Sequence, residues 1–173
     1  MEHLQLVRAV SPADIGIITR LATGIWRECY ERSMENGQIA YMLGKFQSEN
    51  AITMQILHGA IYKMAYYLGR PVGYYGIQRE KDVMMLLNLY LEKPFRRKGI
   101  GREMVEDILS HCQEVEAVEV TVSKTNPSAV SVYGKMGFSL KEEKKEDIGA
   151  GYVLDQLVMR LELFPVTSGT KYG

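Results

Sequence analysis

The pattern of apolar positions predicts one strand and then a helical arm in the first third of the chain. Residues 3–10 alternate between apolar and polar side chains, as a half-buried strand does. Ser11 and Pro12 then mark a helix start, because a hydroxyl can cap the first turn and proline fits the first helical position. Apolar residues recur at helical spacing after that start. The predicted helices cover residues 11–30, 37–46 and 48–59.

From residue 60 the apolar period changes to two, and the pattern predicts an antiparallel meander. Its three strands cover residues 60–68, 72–79 and 83–91, with turn-forming sequences between them. The third strand is apolar on both faces over residues 83–87, which is typical of a central strand that is covered on both sides.

The rest of the pattern predicts a mixed α/β sheet with helices on both faces. A helix over residues 100–112 joins strand 83–91 to a strand over 117–122. Strands joined in this way run parallel, with a right-handed crossover. The remaining predicted elements are a short helix from 127 or 128 to 137 and strands over 138–145 and 152–163.

Length and charge narrow the class of protein. The 173 residues suit a single domain, which we predict over residues 1–164, with a flexible tail over 165–173. Lys and Arg number 21, as do Asp and Glu, so the net charge is zero. Proteins that bind nucleic acid along a phosphate track carry a basic excess, so we expect no such partner.

The sequence also argues against a membrane-spanning segment, an export signal and a metal site. No stretch approaches the ~20 apolar residues that cross a bilayer, and charges interrupt the first thirty residues. Cys29 and Cys112 are far apart, which is typical of reduced thiols in a cytoplasmic protein. The three histidines lie in different segments, so we expect no metal site.

The strongest chemical signal is a basic, glycine-bearing turn before the helix predicted over residues 100–112. Five basic residues and no acid lie between Lys93 and Arg102. A helix N-terminus presents unpaired N–H groups and partial positive charge, and Gly99 and Gly101 let a ligand approach the backbone. The pattern is neither a P-loop nor a GxGxxG dinucleotide turn. It predicts a site for a diphosphate.

A second motif, NPSAVSVYGKMGF over residues 126–138, indicates what the basic turn is for. RRKGIG over 96–101 resembles the [RQ]-x-x-G-x-[GA] pattern of the GNAT superfamily of acyl-CoA-dependent N-acetyltransferases. The second motif resembles that family's N-x-x-A-x-x-x-Y-x-x-x-G-F, and the resemblance covers roughly residues 3–163. It implies a mostly antiparallel seven-stranded sheet whose fourth and fifth strands are parallel and splayed. The helical arm also loosely resembles that of bacterial polyamine-type members.

The resemblance implies that acetyl-CoA is the co-substrate and gives each matched residue a role. Strand residues 89–91 would pair with the pantetheine arm, after a bulge near Tyr90 that opens a slot. Asn126 would contact the pantetheine, and Ser128 and Lys135 the nucleotide end, while backbone amides of residues 97–102 would hold the pyrophosphate. The implied cofactor-binding residues are Leu89, Tyr90, Leu91, Arg96, Arg97, Lys98, Gly99, Ile100, Gly101, Arg102, Asn126, Ser128, Tyr133 and Lys135.

The implied chemistry is direct attack of an amine on the thioester. Leu91 N–H is the candidate donor to the oxyanion, and Tyr133 is the candidate general acid for the leaving thiolate. A protonated amine also needs a base, and the sequence leaves four carboxylates open: Glu28, Glu31, Glu119 and Asp155. We set aside an acyl-cysteine route, because neither cysteine lies in an electropositive setting.

The acceptor pocket is predicted among the aromatic residues of the helical arm and the meander. Trp26, Tyr30 and Tyr75 are the candidates chosen to contact the acceptor, which we expect to be a small-molecule primary amine. A non-catalytic acyl-CoA-binding module and an enzyme acting on a protein or peptide amine stay open as alternatives. A homodimer is a further expectation, since dimers are common in folds of this type.

Overall fold

The computed structural model describes residues 1–163, so the tail predicted over 165–173 lies outside the described residues. The helices are α1 (Pro12–Tyr30), α2 (Asn36–Phe46), α3 (Glu49–Leu57), α4 (Ile100–Ser110) and α5 (Pro127–Lys135), with a short 3₁₀ helix at Lys93–Phe95. The strands are β1 (Leu4–Arg8), β2 (Ile61–Tyr67), β3 (Arg70–Glu80), β4 (Val83–Leu91), β5 (Ala117–Ser123), β6 (Ser139–Gly149) and β7 (Tyr152–Glu162).

The strands form one seven-stranded sheet in the order β1-β2-β3-β4-β5-β7-β6. β4 and β5 run parallel and the other neighbouring pairs are antiparallel, which confirms the predicted mixed sheet. Pairing of β4 with β5 starts at Val83 and ends at Leu86, opposite Val120. Beyond Leu86 the two strands separate, and a slot opens between them.

A bulge in β4 lies earlier than expected. Leu87 is an extra residue in β4, at the point where the register against Gly76 and Ile77 of β3 shifts. Such a bulge bends its strand and interrupts the ladder, so it coincides with the end of the pairing to β5. The expected position near Tyr90 is wrong, because Tyr90 lies in regular register opposite Tyr74.

Side-chain caps fix the starts of two helices. The hydroxyl of Ser11 accepts from the N–H of Asp14 at 3.2 Å, and the Asp14 carboxylate accepts from the N–H groups of Ser11 and Val10. This capping box satisfies N–H groups that a helix end leaves free. Asn126 starts α5 in a related way, because its Oδ1 accepts from the N–H of Ala129 at 3.2 Å. Both helix starts were expected from the sequence.

The sheet separates two hydrophobic cores. Helices α1, α2 and α3 pack on one face, where the buried side chains include Ile18 and Tyr74. Helices α4 and α5 pack on the other face, where the buried side chains include Tyr75 of β3 and Met104 of α4. Successive side chains of a strand point to opposite faces. Tyr74 and Tyr75, adjacent on β3, therefore enter different cores.

Helix α2 is tied to the hairpin between β6 and β7. The Tyr41 hydroxyl and the Lys45 ammonium, one turn apart on α2, both donate to the carbonyl of Ile148 at 2.6 Å. The Tyr41 ring also packs against Tyr152, with ring centroids 5.4 Å apart. β6 runs to Gly149, beyond the end expected at residue 145, and this extra length brings the hairpin to the helical arm.

Two structural features are absent from residues 1–163. No helix there combines the length and the apolar character needed to cross a membrane. That part of the chain also contains no group of three or more histidine, cysteine, aspartate or glutamate side chains placed to hold a metal ion.

Candidate active site

The free edge of β4 presents backbone hydrogen-bonding groups to the slot. The N–H of Glu92 donates to the carbonyl of Val72 at 2.8 Å, which makes these two residues a hydrogen-bonded pair of the β3–β4 ladder. Bonded and non-bonded pairs alternate along an antiparallel ladder. The peptide groups of Tyr90 are therefore directed to β3, whereas those of Leu89 and Leu91 are directed into the slot. A strand edge of this kind can pair with an extended ligand.

Helix α4 begins with a left-handed turn that carries no side-chain cap. Arg97 has φ 61° and Gly99, at the N-cap position, has φ 87°. Glycine adopts this conformation without steric cost, whereas other residues do not. Within residues 1–163 the N–H groups of residues 97–102 have no backbone partner. Free N–H donors at the positive end of a helix are groups that suit an anion.

Arg96 is directed away from those free N–H groups. Its guanidinium donates to both carboxylate oxygens of Glu28, at 3.1 and 2.6 Å, and its Nε donates to the carbonyl of Leu91 at 2.9 Å. The hydrogen bonds from Arg96 lower the pKa of Glu28. Arg96 thus fastens α1 to the end of β4. The basic side chains exposed around the start of α4 are those of Arg97, Lys98 and Arg102.

Tyr133 lies on α5, in the hydrophobic core that α4 and α5 cover. Its ring is buried and packs edge-on against Phe138, with centroids 5.3 Å apart. Burial raises the pKa of Tyr133, and the neighbouring Tyr30 raises it further. Tyr133 in turn contributes to the raised pKa of Tyr90, which burial dominates. The hydroxyl therefore stays protonated at neutral pH, close to two other phenols.

Polar side chains from α1, β4 and the start of α5 lie close together near Tyr133. Burial raises the pKa of Tyr30, and the nearby polar side chains of Tyr90 and Asn126 partly offset this effect. The Asn126 side chain therefore lies near the Tyr30 hydroxyl as well as capping α5. Ser128 and Lys135 lie exposed on the first and last turns of α5, with no hydrogen bond or ion pair to the described protein.

A cleft of about 330 Å³ opens beside the slot, on the face covered by α1, α2 and α3. We call it the amide cleft, after the five amide side chains in its lining: Gln47, Gln55, Gln78, Asn88 and Gln156. Two lining side chains carry charge, and these are Lys144 and Glu146 of β6. The two charges are opposite, so the cleft lining has no net charge.

The floor of the amide cleft is a network of amides and phenols. The Tyr74 hydroxyl donates to Gln47 at 2.6 Å, and the Asn88 amide donates to the Tyr62 hydroxyl at 2.9 Å. Tyr62 in turn donates to Gln55. Burial raises the pKa of Tyr62 to about 12, so the floor carries no ionised group at neutral pH.

The structure brings two of the three predicted acceptor residues to this cleft. Trp26 and Tyr30 both line it, and the Trp26 ring lies 5.9 Å from that of Tyr90. Tyr75 does not reach the cleft, because it points to the opposite face of the sheet. There it is fully buried, and its hydroxyl donates to Asp107 of α4.

The four carboxylates that the sequence left open as the base do not line the cleft, whereas Glu146 does. Three of the four are held in ion pairs: Glu28 with Arg96, Glu119 with Lys141 and Arg160, and Asp155 with Lys124. The fourth, Glu31, lies exposed just beyond α1. Glu146 could not be selected from the sequence, because β6 is a run of charged residues and nothing in the pattern distinguishes one carboxylate from the next.

The cysteines are not placed for covalent chemistry. Burial raises the pKa of Cys29 to about 11, with a further contribution from Glu28, so its sulfur stays a thiol at neutral pH. Cys112 is buried among apolar side chains on the other face of the sheet, and its pKa is raised as well. A thiol is a much weaker nucleophile than a thiolate, so the geometry favours direct transfer.

Residues 30–161 match the family model of an acetyltransferase (GNAT) domain. The chain belongs to the GNAT acetyltransferase family. Among curated relatives of this GNAT chain, N-alpha-acetyltransferase 50 of Danio rerio is 29% identical over 94 residues, covering 50% of this chain and 56% of that protein. The chain spans 22% and 56% of the lengths of the first two curated relatives it matches.

Solved structures of other acetyltransferases share the fold of this GNAT protein. The PaiA N-acetyltransferase of Thermoplasma acidophilum, in complex with coenzyme A, superposes with a TM-score of 0.76 at 17% identity, over 92% of this chain and 98% of that chain. YncA of Salmonella typhimurium, with acetyl-CoA, superposes with a TM-score of 0.62 at 15% identity, over 98% and 99%. At these identities the likeness concerns the fold.

Proposed function

We propose that this GNAT protein transfers an acetyl group from acetyl-CoA to the primary amine of a small-molecule acceptor, by direct attack in a ternary complex. The observation that carries the proposal is that the free edge of β4 ends at the uncapped start of α4 and holds Tyr90, the phenol that neighbours Tyr133. The amide cleft opens beside them. Two ligands can therefore be held at once, with the amine facing the thioester.

The residues around the slot fit acetyl-CoA. The free N–H groups of residues 97–102 suit a diphosphate, and the exposed basic side chains beside them add positive charge. The peptide groups of Leu89 and Leu91 suit the amide-bearing pantetheine arm, as an added strand. Asn126, Ser128 and Lys135 are proposed contacts to the pantetheine and the nucleotide end.

Two groups act on the thioester. Leu91 N–H donates a hydrogen bond to the carbonyl oxygen and stabilises the negative charge that develops there during attack. The Tyr133 hydroxyl donates to the sulfur and supplies the proton that the leaving thiolate takes up. Because burial raises the pKa of Tyr133, that proton is in place throughout the neutral range.

The acceptor amine also has to lose a proton. A primary alkylamine has a pKa near that of lysine, about 10.4, so it arrives mostly as an ammonium ion. Glu146 is the carboxylate in the cleft lining, and it accepts this proton through water. We assign the base to Glu146 in place of the four carboxylates that the sequence left open.

A small acceptor is favoured over a long polycation. The amide cleft offers a single carboxylate, so a polyamine would leave its additional ammonium groups without partners. The likeness to N-alpha-acetyltransferase 50 makes the amino terminus of a protein the second candidate acceptor.

The test is a panel of amines incubated with the protein and acetyl-CoA. The panel contains small amines, polyamines and short peptides, with free thiol and acetylated product measured together, and acetyl-CoA affinity measured by calorimetry. Amine-dependent thiol release with small amines is the expected result. Tight binding without turnover of any acceptor would contradict the proposal and favour a non-catalytic acyl-CoA-binding module.

A further inference from the structure

One amide side chain in the lining of the amide cleft makes no hydrogen bond within residues 1–163. Gln156 of β7 lines the cleft, and its Oε1 is buried without a hydrogen-bond partner among residues 1–163. Its Nε2 makes no hydrogen bond to the described protein either, so exchanging the two atoms would leave the amide equally unpaired. Buried polar groups are nearly always hydrogen-bonded, because leaving one unpaired costs free energy. Gln156 therefore indicates a ligand with complementary groups.

A second amide lies across the slot from Gln156. Asn88 of β4 donates to the Tyr62 hydroxyl, but no donor of the described protein approaches its Oδ1. Asn88 comes directly after the bulge at Leu87, where β4 leaves β5, whereas Gln156 pairs with Ser123, the last residue of β5. The two amides thus stand on the two sides of the slot, on the face that carries the cleft.

The groups around these amides argue against a ligand with a second ammonium and against an apolar one. The floor beneath Asn88 is neutral at physiological pH, and Glu146 and Lys144 are the charged side chains of the lining. In the proposed function Glu146 faces the reacting ammonium. A second ammonium on the ligand would find no further carboxylate there, and an apolar group would leave Gln156 unpaired.

We infer that the acceptor is an amine that also carries a neutral carboxamide, which Gln156 and Asn88 bind. A carboxamide supplies both the N–H donor and the carbonyl acceptor that these two side chains lack. Its N–H groups donate to Gln156 Oε1 and Asn88 Oδ1, and its carbonyl accepts from Gln156 Nε2. The inference rests on the proposed function and narrows it, with Gln156 and Asn88 as residues that determine specificity.

Three isosteric amines test this assignment. β-Alaninamide, β-alanine and isopentylamine have the same number of heavy atoms and end in a carboxamide, a carboxylate and an isopropyl group, and putrescine adds a second ammonium. A site built to hydrogen-bond a group rejects an analogue that lacks it. We expect kcat/KM for β-alaninamide to exceed that for each of the other three amines by about tenfold or more.

Gln156→Leu should remove that preference, with the ratio between β-alaninamide and isopentylamine falling to about one. Gln113→Leu is the matched control, because Gln113 is exposed just after α4 and does not line the cleft. In the control we expect the ratio to stay at its original value. Acetyl-CoA affinity, measured on both variants, checks that each is folded.

Four results would overturn the inference. The first is equal kcat/KM for the three isosteres, and the second is a preference for putrescine or β-alanine. The third is an unchanged ratio in Gln156→Leu. The fourth is a protein that binds acetyl-CoA and acetylates other amines but not β-alaninamide. Failure to bind acetyl-CoA would instead refute the proposed function on which the inference rests. The comparison of isosteres on the unaltered protein holds even where a variant does not fold.

Discussion

The two regions that meet at the slot are built in different ways. The start of α4 and the edge of β4 present backbone groups of consecutive residues, at 97–102 and at Leu89 and Leu91. The amide cleft presents side chains from helices α1 to α3 and strands β3 to β7. The first region depends on local backbone geometry, and the second on how distant segments pack. Substitutions should therefore affect the two regions separately.

Tyr133→Phe should have the largest effect and should act on turnover alone. Without the hydroxyl, the leaving thiolate loses its proposed proton donor, so we expect kcat to fall about 1000-fold. Steady-state kinetics measures this loss, and calorimetry should show unchanged acetyl-CoA affinity. Tyr75→Phe, on the opposite face, is the control, and it should lower the melting temperature while leaving kcat intact. A kcat for Tyr133→Phe within a few-fold of the original would remove Tyr133 from the mechanism.

Glu146→Gln tests the proposed base in the amide cleft. Without a carboxylate to take the ammonium proton, we expect kcat/KM at neutral pH to fall about 100-fold. The deficit should shrink as the pH rises towards the pKa of the acceptor amine, since more of the acceptor is then already neutral. A pH profile of kcat/KM follows this recovery. A deficit that stayed constant with pH would show that Glu146 has another role.

Gly99→Asp tests the proposed diphosphate site at the start of α4. Aspartate tolerates a positive φ better than most residues and caps helices well, so the fold should survive. Its carboxylate, however, would stand where the diphosphate binds, at a cost of about 2 kcal/mol. We expect acetyl-CoA affinity to weaken about 30-fold, with little change in acceptor preference. If affinity stays the same in calorimetry, the diphosphate lies elsewhere.

Glu28→Gln has the smallest expected effect and probes the link between the two regions. The Arg96–Glu28 pair is about one-third exposed, so we expect a loss of about 1 kcal/mol in the free energy of unfolding at neutral pH. Because the pKa of Glu28 is lowered in the fold, this stabilisation is present above the unfolded pKa of about 4.3. It should disappear as the pH falls through the lower, folded pKa.

Urea unfolding of the two proteins at several pH values measures this difference. Glu31→Gln is the control, since Glu31 lies exposed without an ion pair in the described structure. A difference between Glu28→Gln and the original protein that persisted in strong acid would contradict the ion-pair account.

The backbone region could be predicted from the sequence because its signals are contiguous. Glycine at a helix start, the run of basic residues and the spacing of Tyr133 all lie within short segments, and the resemblance that they carry implied the parallel pairing of the fourth and fifth strands. Two details still escaped prediction. The bulge falls at Leu87, and the Arg96 side chain is bound to Glu28, because both depend on contacts between segments distant in sequence.

The cleft could not be predicted in the same way. Whether Tyr74 or Tyr75 lies on the cleft side of the sheet depends on which side the helical arm covers, and the period-two pattern alone does not give that side. Glu146 reaches the cleft because Tyr41 and Lys45 hold the far end of its hairpin. A single sequence carries no signal for such a contact.

The hydrogen bond from Arg96 to the Leu91 carbonyl affects which ligand groups can bind at the end of the free β4 edge. Arg96 occupies the last acceptor on the free edge of β4, while the N–H of the same residue is left as a donor. Within the proposed function, the carbonyl oxygen of acetyl-CoA accepts a hydrogen bond from this N–H, whereas the thiol of free coenzyme A is a weak acceptor. Acetyl-CoA therefore makes a stronger hydrogen bond at this position than free coenzyme A does. The N–H of Leu91 is thus the group at the end of β4 that distinguishes reactant from product.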